Sequence, residues 1–86
     1  MGKGEAASVW IVYMLRCRDD SLYTGITNNL PQRLLRHTGG TASAYTRSRR
    51  PVRLVYHERQ PTRSAALRRE AALRRLSRAA KLALLL

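Results

Sequence analysis

Glu70 is the acidic residue whose setting most needs a reason. It is the only carboxylate between Gln60 and Leu86, a stretch that also holds Arg63, Arg68, Arg69, Arg74, Arg75, Arg78 and Lys81. At about 100° per residue, Ala66, Leu67, Ala71 and Leu73 form one apolar arc of a helix, and Glu70 falls near its middle. A carboxylate aimed at a core is costly unless it is paired or binds a metal. Two accounts therefore compete: an ion pair with Arg74, its i+4 neighbour, or with Arg63, and a metal ligand. Upstream, Tyr13 and Tyr23 lie ten residues apart, and Arg33 and His37 lie four apart. Phosphodiester cleavage wants this set of groups. A carboxylate holds a Mg²⁺ that otherwise keeps its waters. An arginine neutralises charge gathering on phosphoryl oxygens. A phenol or imidazole takes the proton of an attacking water.

The elements that must position these side chains follow from local pattern. Residues 1 to 8 are small and polar and read as a loose tail. Val9 to Cys17 is rich in Val, Ile, Tyr and Trp and almost wholly apolar, which predicts a strand buried on both faces. Arg18 to Ser21 is a turn, and Leu22 to Thr27 a second short strand, so the two make a β-hairpin. A two-residue loop at Asp19-Asp20 would point the two tyrosines to opposite faces. A loop of three residues, or a bulge, puts them on the same face. Tyrosine favours strands in any case, so packing alone would account for both. An Asn before Leu30-Pro31 suits a helix start. The helix should run from about Leu30 to His37 with Arg33 and His37 on one face, and Gly39-Gly40 should stop it. Gly39 to Arg50 reads as a Gly/Ser/Thr-rich loop, Val52 to His57 as a short strand, and the chain from about Thr62 as a long helix. A break near Ser77 would leave a final short helix over Lys81 to Leu86. The order β-β-α-β-α-α predicts an α+β domain over residues 9–84, with a small three-stranded, mainly antiparallel sheet flanked by helices.

Composition narrows the partner. Seventeen basic residues against five acidic ones give a net charge of +12, and nearly all the basic residues are arginine, whose planar fork matches phosphate oxygens. The excess is spread along the whole chain rather than along one helix, which favours nucleic acid over an anionic membrane surface. The loop Thr41 to Arg50 sets Tyr45 among Arg47, Arg49 and Arg50 and is the candidate DNA-facing segment. The bland alternative is a merely solvated loop. The single cysteine, Cys17, excludes an internal disulfide framework and a cysteine-rich zinc site, and reads as a buried structural thiol. No secretory signal and no apolar run near the roughly 20 residues of a membrane span are present, so a cytoplasmic protein is the default expectation.

Taken together, the residues resemble the GIY-YIG nuclease family. Its two tripeptides read here as Ile11-Val12-Tyr13 and Tyr23-Thr24-Gly25. The run from Tyr23 through Arg33 to His37 is similar to the family's passage from the second tripeptide into a helix with an arginine and, in many members, a histidine. Glu70 matches the family's metal-binding glutamate. The similarity extends over about Val9 to Leu84. It is closest to the small stand-alone, UPF0213-like members, which share Leu-Tyr-Thr-Gly-Ile-Thr, the Tyr-Thr-Arg loop and Arg-Arg-Pro-Val-Arg-Leu-Val-Tyr. Three departures stand out. Ile11 replaces the first glycine, Ile26 stands where some members carry a lysine, and an asparagine that some carry beyond the glutamate has no counterpart here.

The resemblance implies a Mg²⁺- or Mn²⁺-dependent endonuclease acting on DNA. The metal would sit on Glu70, Tyr23 would be the general base with Tyr13 helping to place the water, Arg33 would stabilise the pentacovalent phosphate, and His37 would position water or phosphate. A free phenol has a pKa of ~10, so the base role needs positive charge nearby. Most site-specific members add a second domain, and none fits in 86 residues. Selectivity should therefore follow DNA structure (branched, damaged or single-stranded) rather than sequence, with binding carried by phosphate contacts. The competing class is a nucleic-acid-binding module of the same fold that does not cut, or cuts only with a protein partner. RNA as a target and a dimer through Leu82 to Leu86 are left open at this stage.

Overall fold

The computed structural model describes residues 9–85. The expected N-terminal tail and Leu86 lie outside the described residues. Strand β1 (Trp10–Arg16) is the apolar run expected to be buried on both faces, and it lies at the centre of a three-stranded antiparallel sheet. Strand β2 (Leu22–Thr27) pairs with it on one side, and strand β3 (Arg53–Gln60) on the other, giving the order β2-β1-β3. The hairpin closes through Cys17 N–H to Ser21 C=O at 2.9 Å, which leaves the three residues Arg18, Asp19 and Asp20 in the loop. Asp20 takes φ of 70°, the left-handed residue that a three-residue loop uses to end its turn. The resulting register sets Tyr13 opposite Gly25 and Leu15 opposite Tyr23. Opposed residues share a face, and so do residues two apart on a strand, so both tyrosines emerge on the same side.

Helix α1 (Leu30–Gly39) starts where Asn29 Oδ1 accepts the Gln32 N–H at 3.2 Å, carries Pro31 in its first turn, and ends at Gly40 with φ of 82°. Within the stretch expected to be loop lies a one-turn helix, α2 (Ala44–Arg47), capped by the Ser43 hydroxyl. Its Thr46 is fully buried. The third strand reaches Gln60 instead of ending at His57, because its ladder with β1 continues through Glu58, Arg59 and Gln60. Glu58, on this extension, accepts from Arg69 and from Gln60, each at 2.8 Å, and bonds the Tyr56 hydroxyl. Helix α3 (Arg63–Arg74) is capped by Thr62, and helix α4 (Arg78–Leu84) starts three residues before Lys81 because the Ser77 hydroxyl caps it.

Two layers of helix cover the sheet. The face of Val12 packs against Ala66 and Leu73 of α3, with Trp10, Ile26, Tyr56, Leu76 and Leu84 around them. The face of Tyr13 and Tyr23 meets α1 and α2 through His37 and Tyr45. The buried stripe of α3 is narrower than the sequence pattern suggests. Ala66 and Leu73 are buried, whereas Leu67 is 39% exposed and Ala71 is exposed. A small sheet touches only a narrow arc of a helix, and Leu67 lies about 100° around from Ala66. No helix among the described residues is long and apolar enough to cross a membrane.

Candidate active site

The tyrosines, the histidine and Tyr45 form one aromatic cluster. The Tyr13 and Tyr23 ring centres lie 6.4 Å apart, and His37 meets Tyr13 at 5.8 Å and Tyr23 at 5.3 Å, both edge-on. Tyr45 stacks on Tyr23 at 5.9 Å. Gly25 makes room for this arrangement: a Cβ there would stand 2.6 Å from the Tyr13 hydroxyl oxygen and 2.8 Å from Cζ. The Tyr13 ring thus lies across a strand position that tolerates no side chain.

A chain of hydrogen bonds fixes the buried members. Tyr13 Oη and His37 Nε2 are 2.9 Å apart, and His37 Nδ1 and Thr46 Oγ1 are 2.8 Å apart. Thr46 Oγ1 in turn meets Ser43 Oγ at 2.8 Å, while Ser43 Oγ accepts the Thr46 N–H at 3.1 Å. Tyr13 and Thr46 are fully buried and His37 nearly so. Either neutral tautomer of the imidazole satisfies both of its bonds. Burial, then the neighbouring Arg33 and Arg36, hold His37 below the usual histidine range, which keeps the ring neutral. Burial pushes the Tyr13 phenol up to about 12, and the Tyr23 phenol and the Glu70 carboxylate push in the same direction. Arg33 pulls against them. Arg33 lies one turn before His37 on α1 and is partly buried. Sequence reasoning did not single out Ser43 and Thr46, although the signal was present in the capping pattern Ser-x-x-Thr beside the Tyr-Thr-Arg run.

Glu70 approaches from the opposite layer. It is half-buried on α3, the helix that covers the Val12 face, and its carboxylate pairs with Arg74 at 3.1 Å. Arg74 also donates to the Thr24 carbonyl at 3.2 Å, tying the pair to the open edge of β2 beside Tyr23. The first of the two accounts given for the inward glutamate, a pair with Arg74, is thus present. It does not use all of the carboxylate, because only Oε2 is engaged. No group of three or more His, Cys, Asp or Glu side chains converges among the described residues. A single ionised carboxylate fits Mg²⁺ or Mn²⁺ that keeps waters and takes substrate oxygens, and does not fit a closed zinc site.

The four candidate DNA contacts divide. Arg49 lies 3.8 Å over the Tyr45 ring and pairs with Asp19 at 3.0 Å. Arg50 donates to the Arg47 and Thr38 carbonyls at 3.1 and 3.3 Å. Tyr45 and Arg47 are exposed.

Comparison with known proteins finds relatives over most of the chain. A family model described as the GIY-YIG catalytic domain matches residues 9–83. A UPF0213 protein of Staphylococcus saprophyticus is 43% identical over 74 residues, which are 86% of this chain and 90% of that protein. A UPF0213 protein of Natronomonas pharaonis is 49% identical over 70 residues, 81% of this chain and 82% of the other. The solution NMR structure of a UPF0213 protein from Bacillus halodurans superposes with a TM-score of 0.57 at 39% identity, covering 88% of this chain and 81% of that one.

Proposed function

From the premise that this chain belongs to the GIY-YIG nuclease family, we propose that it hydrolyses phosphodiester bonds in DNA, recognises the structure of the DNA rather than its sequence, and requires a divalent metal. The observation that carries this reading is the cluster in which the Tyr13, Tyr23 and His37 rings meet, with Tyr13 Oη 2.9 Å from His37 Nε2.

The roles follow from the environments. Tyr23 is the general base toward the attacking water. Tyr13 keeps its proton at neutral pH, so it positions rather than deprotonates. In the tautomer with hydrogen on Nε2, His37 donates to Tyr13 and fixes that ring beside Tyr23. The two ring nitrogens of His37 are already bonded, so it acts through Tyr13 rather than on the phosphate. Arg33 offers its guanidinium to the phosphoryl oxygens as their charge grows. Glu70 would hold Mg²⁺ or Mn²⁺, which when bound supplies charge stabilisation at the leaving 3′-oxygen. Phosphate contacts from Tyr45, Arg47, Arg49 and Arg50 would set affinity.

One observation favours a second reading, a module that binds DNA without cutting: Glu70 already has a cationic partner in Arg74. Cleavage of plasmid and branched oligonucleotides, with and without Mg²⁺ or Mn²⁺, separates the two. The wild type should cut only with metal, and Glu70→Ala and Tyr23→Phe should each lose at least about 100-fold, as removal of a general base or a metal ligand does. Binding without any cutting by the wild type, or undiminished cutting by Glu70→Ala, sinks the enzyme reading.

A further inference from the structure

Leu22, Tyr23, Thr24, Tyr45, Arg74 and Lys81 line a cleft of about 470 Å³, of which only Tyr23 is one of the five site residues. It straddles the open edge of β2. Tyr23 and Tyr45 come from one side, and Arg74 and Lys81 from α3 and α4 on the other. We propose that this cleft is a second phosphodiester subsite, in which Arg74 and Lys81 hold a phosphate of the bound strand next to the linkage cut at Tyr23. The inference rests on the DNA reading above and adds two residues to it.

The charges point to an anion. Each of the four acidic side chains among the described residues has a basic partner: Asp20 with Arg16, Asp19 with Arg49, Glu58 with Arg69, and Glu70 with Arg74. None of them pairs with Lys81, which is half-buried in the cleft wall. An ammonium with no carboxylate partner among the described residues can take a phosphate. Arg74 stands beside it with its exposed guanidinium steered by Glu70 and the Thr24 carbonyl, so a second set of N–H donors has a fixed origin.

The walls point to a nucleotide. Tyr45 is held between Tyr23 at 5.9 Å and Arg49 at 3.8 Å, which makes it a fixed wall of the cleft, and Leu22 adds an apolar one. Thr24 is buried, and its hydroxyl has no hydrogen-bond partner among the described residues. The volume lies in the range of small-ligand sites, about 300–1,000 Å³. A space of this size admits one nucleotide.

The test is binding of a fluorescein-labelled oligothymidylate in EDTA, which separates binding from cutting. Lys81→Gln and Lys81→Met should each weaken binding about fivefold at low salt and reduce the slope of log K against log salt by about 0.7, the loss of one single-strand phosphate contact. Lys81→Arg should keep the wild-type slope. Arg78→Gln removes the same charge from the same helix outside the cleft and should stay within twofold. A wild-type slope in both neutral Lys81 variants, an equal loss in Arg78→Gln, or no binding of the oligonucleotide by the wild type overturns the subsite. Binding that depends on Lys81 in a protein that cuts nothing keeps the subsite and removes the nuclease reading. Cutting with binding indifferent to Lys81 does the reverse.

Discussion

Tyr13 and Gly25 are two halves of one contact, since the phenol occupies the space a Cβ would need. Gly25→Ala should therefore move the ring, lower stability by about 1–3 kcal/mol through overpacking, and weaken cleavage; urea melts and the plasmid assay check both. The titrations of Tyr13 and His37 give a second prediction. The Tyr13 pKa is raised to about 12, above its unfolded value, so stability is intact below pH ~10 and is lost as pH rises from there toward the folded pKa. His37 is a base whose folded pKa is lowered. Its contribution is intact above the unfolded value of ~6.5 and is lost as pH falls below it, because the unfolded chain then binds the proton more readily. Melts across pH should show Tyr13→Phe flattening the alkaline limb and His37→Gln the acid limb. At this scale the sequence was partly legible. The inward carboxylate of Glu70 stood out because a lone acid on a basic helix is easily counted, and of the two partners the sequence offered, Arg74 and Arg63, the structure pairs it with Arg74. Thr46 was not legible, because its value lies in bonding a ring nitrogen on a different helix.

The hairpin decides whether two separate tyrosines become a pair. Asp20 at φ of 70° is the residue that ends the three-residue loop. Asp20→Gly and Asp20→Val both lose the 3.1 Å bond to Arg16, so their difference isolates the backbone. The valine variant should be less stable than the glycine one by about 1–2 kcal/mol, the cost of a left-handed Cβ, measured by thermal melts. Sequence alone left the face of Tyr23 open because Asp19-Asp20 and Arg18-Asp19-Asp20 are both acceptable turns. Strand β2 was read to the residue, since Asn and Pro bound it closely. Helix α2 escaped notice because one turn is too short to show a period, and Gly, Ser and Thr around it look like loop. The end of β3 escaped because Glu58-Arg59-Gln60 is polar, although Glu58 is held by Tyr56, Gln60 and Arg69.

At the scale of the molecule the net charge of +12 governs encounter with any polyanion. Binding to single-stranded DNA should fall steeply with salt, with a slope on the order of −3 to −4 for four to six phosphates. A slope near zero in anisotropy titrations would remove the phosphate-contact basis of binding. The sheet is three strands wide, with Tyr13 on its central strand and Tyr23 on the neighbouring border strand. That narrowness has a further consequence. Tyr23 belongs to a border strand, and a border strand carries backbone groups that another extended chain can copy. Arg74 occupies one of these, the Thr24 carbonyl. A charged side chain on that border blunts it against strand addition by a second copy of the chain.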